Sequence, residues 1–127
     1  MQWMRSSEIK ISKMNDRVII KKMKLDECKE IIGVSFEDFF QPVELEKYYA
    51  PGNLRSLCAR YLVKKSLLDY FKLSNYLDIG ILNDEKGKPE LIICGELSRK
   101  IKEMSVKQIL CSISHSRNWV ASMVVID

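Results

Sequence analysis

The 127-residue sequence has little cysteine, only one histidine and no long apolar run. Its four cysteines are scattered and lack CxxC spacing, so they do not favour a disulfide framework or a zinc site. No apolar run approaches the roughly 20 residues that cross a bilayer. The first ten residues also lack the continuous apolar segment of a secretory signal. We therefore expect buried, reduced thiols in a cytoplasmic protein with no membrane partner.

The charge balance is only mildly basic. Twenty-one Lys and Arg against 17 Asp and Glu give a net charge of +4, and the basic residues are mixed with acids along the chain. The sequence contains no stripe of alternating aromatic and basic residues, so it does not indicate nucleic-acid binding. Such a charge suits an acidic partner, such as a phosphate ligand or an acidic carrier protein. The length and composition predict one soluble domain over residues 1–127.

The first half of the chain shows strand and helix signals in turn. Residues 8–23 alternate loosely and include three consecutive β-branched residues, which predicts one or two strands. Leu25 to about Ile32 predicts a short helix that Gly33 ends. Ser35 then has the character of an N-cap, and Pro42 opens another helix, where its missing N–H costs nothing.

The second half starts with the clearest helix and continues with strands. Asn53 is the expected cap of a helix that runs to about Phe71, because apolar residues recur there at helical spacing. The remaining predictions are a hairpin formed by Leu77–Leu82 and Glu90–Cys94, a short helix at 97–104, and β-rich runs at Ile109–Ser114 and Trp119–Ile126. Together these elements predict an α+β fold, in which helices pack on one side of a mainly antiparallel sheet.

Three segments, read in order, carry a family resemblance. They are FFQPVEL at 39–45, RYLVKKSLLD at 60–69, and a series of Asp78-Ile79, Gly87-Lys88-Pro89, Ser112-Ile113-Ser114-His115 and ASMVV at 121–125. Each motif is weak alone, but their order and spacing together cover roughly residues 36–126. In this combination the sequence resembles the holo-acyl-carrier-protein synthases, which are 4′-phosphopantetheinyl transferases.

The resemblance implies a reaction, a cofactor and partners. Members of this family transfer the phosphopantetheine arm of coenzyme A to a serine of an acyl carrier protein, and 3′,5′-adenosine diphosphate leaves. The transfer serves fatty acid or polyketide biosynthesis, and Mg²⁺ bridges the pyrophosphate. The single-domain members form homotrimers with an active site at each subunit interface. These properties are therefore expectations for this chain.

The sequence departs from the family at the centre of the proposed chemistry. The family has a Mg²⁺-ligating Glu where this chain has Lys65, and a pyrophosphate-directed Lys where it has Asp69. An ammonium has no lone pair for a metal. The pair lies at i and i+4, which favours a helix salt bridge; alternatively the Lys65 ammonium substitutes for the charge of the metal against a phosphate. With Lys64, these two residues are the candidate catalytic groups.

Two acidic residues are the candidate metal ligands. Asp16 is the nearest counterpart of an Asp that the family carries on an early Gly-x-Asp strand, although no glycine accompanies it here, which favours the alternative of an exposed turn residue between two strands. Glu44 matches an acidic residue of the family. It would hold a loop or a metal-bound water, or simply favour a helix N-terminus through the macrodipole.

Six residues are the candidate coenzyme-binding groups: Arg60, Lys64, Lys88, Ser112, Ser114 and His115. The resemblance implies that they contact coenzyme phosphates. The alternative for Arg60 and Lys64 is the solvated face of an amphipathic helix, for Lys88 a hairpin turn, and for His115 a structural role.

Two functions follow from these motifs. One is an active, divergent transferase, favoured by the retained basic and Ser-x-Ser-His residues. The other is a catalytically inactive family member that binds a carrier protein or a coenzyme-like ligand, favoured by Lys65, Asp69 and the glycine-free segment 72–77.

Overall fold

The computed structural model describes residues 17–127 and confirms the α+β class. In the described residues one strand and four helices make up the first part of the chain, and strands dominate the last. In chain order the elements are β1 (Val18–Lys24), α1 (Leu25–Gly33), α2 (Phe36–Phe39), α3 (Pro42–Tyr48), α4 (Arg55–Phe71), a 3₁₀ helix (Tyr76–Asp78), β2 (Ile79–Asn83), β3 (Pro89–Ile93), α5 (Gly95–Glu103), β4 (Ile109–His115) and β5 (Trp119–Ile126).

The strands form two antiparallel sheets. One has three strands in the order β1-β5-β4, and the other is the predicted hairpin of β2 and β3. On β5 the side chains alternate: Val120, Ser122 and Val124 are buried, and their neighbours are half-buried or exposed. The buried face of this strand packs against α4. One face of the larger sheet thus covers one side of α4, the central helix. The opposite face of the sheet is left open.

The central helix is buried on nearly all sides. Twelve of the 17 residues of α4 are buried, Arg60 and Lys64 among them, so the alternative that these two lie on a solvated face is wrong. The reason is that the sheet covers one side while α1 and the β2 strand cover others. None of the helices in the described part of the chain has the length and apolar character needed to span a bilayer.

The N-caps of α4 and α2 differ slightly from the predicted ones in position or in their contacts. α4 begins at Arg55 and its N-cap position is Leu54, yet Asn53 Oδ1 still accepts a hydrogen bond from the Arg55 N–H at 3.1 Å. Ser35 occupies the predicted N-cap position of α2, but its side chain makes no capping bond. Short turns of this kind shift a helix boundary by one residue without moving the helix.

The strand predicted from Leu77 begins two residues later, at Ile79. The side chain of Asn75 accepts a hydrogen bond from Leu77 N–H at 3.1 Å and turns the chain into a 3₁₀ helix over Tyr76–Asp78. A local side chain to backbone bond therefore competes successfully with the strand.

Candidate functional site

Lys64 and Glu44 form a buried ion pair at the centre of the molecule. Both side chains are 0% exposed, and Lys64 Nζ lies 2.6 Å from Glu44 Oε1. Lys64 also donates to the carbonyl of Phe39 at 2.8 Å. Burial lowers the pKa of Lys64, and the neighbouring carboxylate of Glu44 opposes this shift. The pair joins α4 to α3 and to the segment that precedes α3.

The Glu44 carboxylate is engaged at both oxygens. Oε1 accepts from the backbone N–H of Gln41 at 2.9 Å, and Oε2 accepts from the N–H of Ile81 at 3.0 Å. These bonds close the N-terminus of α3 and fasten β2 to it. Of the roles that the sequence left open for Glu44, the contacts favour the holding of a loop. A metal role for Glu44 and a coenzyme role for Lys64 stay predictions, and this geometry lends neither of them support.

Arg60 is a second buried cation, and it is only 1% exposed. Its Nε donates to the carbonyl of Ile81 at 2.9 Å, one terminal nitrogen donates to Ser56, and the other donates to Asn83 Oδ1 at 3.0 Å. The guanidinium stacks over the ring of Tyr48, 3.5 Å from its centroid. Burial lowers the pKa of this group, and the Tyr48 side chain opposes that effect. The guanidinium nevertheless remains charged at neutral pH.

Arg60 also lines a cavity of about 370 Å³ between α4, the hairpin and the end of β4. The predicted residues Ser114 and His115 line the same cavity, together with Gly87 of the hairpin turn. Its volume lies at the lower end of the range that small-molecule sites occupy. The structure therefore brings three predicted coenzyme-facing residues to one place, although they are up to 55 positions apart in the chain.

A second cavity, of about 550 Å³, continues along the hairpin and β4. It contains two further predicted residues, Lys88 on one wall and Ser112 on the other. Because Gly87 and Lys88 are consecutive, and so are Ser112 and Ile113, the two cavities adjoin each other. We call them together the hairpin groove. Five of the six predicted coenzyme-binding residues line it, and Lys64 does not.

The turn that carries Lys88 has a defined shape. The Asp84 carboxylate accepts from the N–H groups of Lys86 and Lys88, at 2.8 Å each, and Gly87 has a φ of +83°. A positive φ is favourable for glycine and strained for other residues. The predicted hairpin turn is thus confirmed, and its geometry fixes the backbone from which the exposed Lys88 side chain extends.

The predicted ion pair of Lys65 and Asp69 forms on the surface of α4. Lys65 Nζ lies 3.6 Å from Asp69 Oδ1, and Lys21 Nζ of β1 lies 3.1 Å from Asp69 Oδ2. We call these three residues the exposed cluster. None of them lines either cavity of the hairpin groove. Asp16, the other candidate metal ligand, lies outside the described residues.

The sequence did not reveal several residues that contact the candidate functional side chains. The partners of Arg60 (Ser56, Tyr48 and Asn83) and the third member of the exposed cluster, Lys21, come from other elements or from one helical turn away. Only Lys21 left a signal, since it stands between Ile19 and Met23 on the face of the strand that packs into the core.

No protein-family model matches the chain. Curated relatives do, and each is named a holo-acyl-carrier-protein synthase. The protein of Halothermothrix orenii is 38% identical over 73 residues, which span 54% of this chain and 58% of that protein. The protein of Dehalococcoides mccartyi (strain 195) is 33% identical over 89 residues, which span 68% of this chain and 73% of that protein.

The chain belongs to the holo-acyl-carrier-protein synthase family.

Solved structures agree with this holo-acyl-carrier-protein synthase fold. The enzyme of Neisseria meningitidis superposes with a TM-score of 0.73 at 19% identity and covers 87% of this chain and 96% of its own. The enzyme of Helicobacter pylori, solved in complex with coenzyme A, gives a TM-score of 0.68 at 18% identity, with 87% and 99% covered. At such identities these structures establish the fold, and the curated relatives establish a divergent membership.

The family resemblance implies Mg²⁺, and the described residues do not fit that ion. Mg²⁺ binds through hard oxygen ligands. Within residues 17–127 no group of three His, Cys, Asp or Glu side chains lies close enough to hold a metal. Glu44 is committed to Lys64 and two backbone N–H groups, and Asp69 lies between two ammonium groups. We therefore derive no step through a metal.

Proposed function

We propose that the chain transfers the 4′-phosphopantetheine arm of coenzyme A to a serine of an acyl carrier protein. The observation that carries this proposal is the hairpin groove, in which a holo-acyl-carrier-protein synthase fold collects five residues expected to face the coenzyme. In the reaction the serine Oγ forms a bond to the phosphorus that bears the pantetheine arm. The P–O bond to the other phosphate breaks, the serine proton passes to solvent, and 3′,5′-adenosine diphosphate leaves.

The residues of the groove suit a ligand that carries phosphates. The charge of Arg60 is held close to the cavity in surroundings of low dielectric, where it acts over a longer distance than in water. Its fixed bonds to Ile81 and Asn83 hold the charge in place. Lys88 and His115, both exposed, provide donors from opposite walls. Such preorganised charge is the main contribution that a protein makes to phosphoryl-group chemistry.

The test is a transfer assay read by intact mass. The chain is incubated with coenzyme A and a panel of apo-carrier proteins, and a cognate carrier should gain the mass of the phosphopantetheine arm. His115→Ala and Lys88→Ala should each lower kcat/KM at least tenfold, which corresponds to about 1.4 kcal/mol. Arg99→Ala is the matched control, because Arg99 is an exposed cation that pairs with Glu96 outside the groove. Transfer that both groove variants leave unchanged would contradict the assignment of this groove.

A second function is favoured by the exposed cluster. Lys65 stands where the resemblance places a metal-ligating Glu, and the nearby Asp69 is neutralised by two lysines. These changes suit a non-catalytic protein that binds a carrier protein or coenzyme A without transfer. Micromolar coenzyme binding by calorimetry, with no mass gain on any carrier, would support this function over the first.

We further propose that the chain forms a homotrimer, as the resemblance implies. One end of the open face of the three-stranded sheet is apolar, with Val18, Val125 and Leu110 aligned across the strands and Ile20 beside Met123 in the next row, whereas Lys22 and Ser114 lie in the row beyond. Leu110 is 54% exposed. A contiguous apolar face is typical of a subunit interface. Light scattering should give three times the chain mass, and Met123→Glu should give the monomer.

The partners that follow from this proposal are coenzyme A and an acyl carrier protein. All four cysteines lack a disulfide, which suits a cytoplasmic location where thiols stay reduced, but only Cys28 and Cys58 are buried as expected, whereas Cys111 is half-buried and Cys94 is exposed. The open sheet face and the groove are the surfaces proposed for these interactions, in a domain proposed to extend over the whole chain, and Leu110 borders both.

A further inference from the structure

The exposed cluster places one carboxylate between two ammonium groups. Asp69 contacts Lys21 of β1 through one oxygen, at 3.1 Å, and Lys65 of its own helix through the other, at 3.6 Å. The side chains are 30% exposed for Lys21, 38% for Lys65 and 49% for Asp69, so a dissolved ligand has access to all three. Two positive charges and one negative charge leave the cluster with an excess of one positive charge.

This arrangement disfavours a divalent cation. A metal ion that bound Asp69 would lie about 2 Å from a carboxylate oxygen, and both ammonium groups already contact those oxygens. Coulomb repulsion between a divalent ion and two unit charges within a few ångströms cancels much of the attraction of the single carboxylate. Neither lysine has a lone pair to offer in exchange.

The strand beside the cluster offers no second carboxylate. β1 reads VIIKKMK and contains Lys21, Lys22 and Lys24 without an acidic residue. Lys21 faces α4, while Lys22 and Lys24 are exposed, and Lys22 lies over the ring of Trp119. β1 therefore contributes lysines and no carboxylate to the surroundings of the cluster, and Asp16, the counterpart suggested for the early acidic residue, lies outside the described residues.

We propose that the exposed cluster binds the pyrophosphate of coenzyme A directly, with the ammonium groups of Lys21 and Lys65 in place of a divalent cation. The inference rests on the proposed function only in taking coenzyme A as the ligand. Asp69 is a positioning residue, which holds the two ammonium groups together and keeps them extended. Coenzyme binding is therefore independent of Mg²⁺.

The cluster and the hairpin groove lie on opposite sides of the central helix. Arg60 and Asp69 are nine residues apart, which is two and a half helical turns and so about half a turn around the axis. A coenzyme molecule that contacts both sites would thus lie between two copies of the chain, in agreement with the proposed homotrimer.

The experiment is calorimetric titration of the full chain with coenzyme A, once in EDTA and once in excess Mg²⁺. The two dissociation constants should agree within about twofold. Lys65→Met and Lys21→Met should each weaken binding at least tenfold in both buffers, because each removes one of the two cations. Lys72→Met, a change at an exposed lysine just beyond the same helix, is the matched control and should bind as the parent does. Circular dichroism and urea unfolding establish that each variant is folded.

The triple variant Lys21→Asp/Lys65→Glu/Asp69→Lys tests the same inference in the opposite direction. It gives the cluster two carboxylates and one ammonium group, and it should bind coenzyme A at least tenfold more tightly with Mg²⁺ than in EDTA. A parent protein that already shows a tenfold gain with Mg²⁺, or a Lys65→Met variant that binds as the parent does, would overturn the inference.

The outcomes separate the inference from the proposed function. Equal binding in both buffers, weakened by the two lysine substitutions but without transfer to any carrier, upholds the inference and rejects the transferase. Transfer that requires Mg²⁺ upholds the transferase and rejects the inference. If coenzyme A binds in neither buffer, both are overturned.

Discussion

Lys64 and Lys65 are adjacent in the sequence, and each forms an ion pair with an acidic residue, but their surroundings are opposite. Lys64 is fully buried and its ammonium is 2.6 Å from Glu44. Lys65 is 38% exposed and its ammonium is 3.6 Å from Asp69. One helical step of about 100° separates the interior of the protein from its surface.

The comparison shows how burial changes what an ion pair does. In the interior, a missing partner leaves an uncompensated charge in a low dielectric, so each member of the pair depends on the other. At the surface, water solvates either charge alone, so the pair adds little to stability and its charges stay available to a ligand. Lys64 therefore contributes to the stability of the fold, whereas the charge of Lys65 is available to a ligand.

The largest effect is expected from Lys64→Met. This variant leaves the Glu44 carboxylate buried without its cation, and the free energy of unfolding should fall by about 3–5 kcal/mol. Urea unfolding followed by circular dichroism measures the change. The double variant Lys64→Met/Glu44→Gln should recover part of the loss, because it removes the uncompensated charge. The recovery is incomplete because Glu44 accepts two backbone N–H bonds with different oxygens, and glutamine has only one side-chain oxygen. A loss below about 1 kcal/mol would show that the inner pair is no more important than the outer one.

A smaller loss is expected from Arg60→Lys. Lysine keeps the charge but has no planar fork, so it cannot bond Ile81, Ser56 and Asn83 together. The unfolding free energy should fall by about 2 kcal/mol, since at least two buried groups lose their partners. Arg99→Lys, at an exposed arginine of α5, is the control and should change it by less than about 0.5 kcal/mol. Equal losses in the two variants would contradict the role given to the buried fork.

The third prediction concerns a buried polar group without compensation. Ser122 is 0% exposed, and within residues 17–127 its hydroxyl has no hydrogen-bond partner. Removing an unsatisfied hydroxyl relieves a desolvation cost, so Ser122→Ala should be neutral or raise the unfolding free energy by up to about 1 kcal/mol. Thermal unfolding would show an unchanged or higher Tm. A clear decrease in Tm would mean that this hydroxyl does have a partner.

The smallest effects are expected at the exposed cluster. Lys65→Met should change the unfolding free energy by less than about 0.5 kcal/mol, and the change should shrink further in high salt. The measurement is the same urea titration at low and high ionic strength. A loss of several kcal/mol would place Lys65 with Lys64, as part of the fold.

Most elements of the fold could be predicted because their signals are local. The helix at 55–71 was predictable from the spacing of its apolar residues. The hairpin turn was predictable from the residues that lead to Pro89, where glycine permits the positive φ at residue 87. The strand predicted from residue 77 is present but begins at residue 79, also for a local reason, because the side chain of Asn75 accepts a bond from the backbone two residues on. Each of these outcomes depends on neighbours within a few positions.

The site could be predicted only in part. The motif residues Ser112 to His115 do line a groove with Arg60, but the sequence did not indicate that Arg60 and Lys64 are buried. Two of their partners, Ile81 on β2 and Glu44 on α3, are 20 or more positions away, and a sequence period on one helix carries no record of them. The contact of Lys21 with Asp69 in the exposed cluster likewise connects two elements, the strand β1 and the helix α4.

The sequence alone determined the α+β class, the family resemblance, and the exchange of charge at Lys65 and Asp69, because residue type and short-range spacing suffice for these. The tertiary structure decided which charges are buried, which residues line the groove, and that a third residue completes the exposed cluster. The physical reason is that burial and long-range pairing depend on how elements pack, and chemically identical neighbours such as Lys64 and Lys65 acquire different roles only when that packing gives them different surroundings.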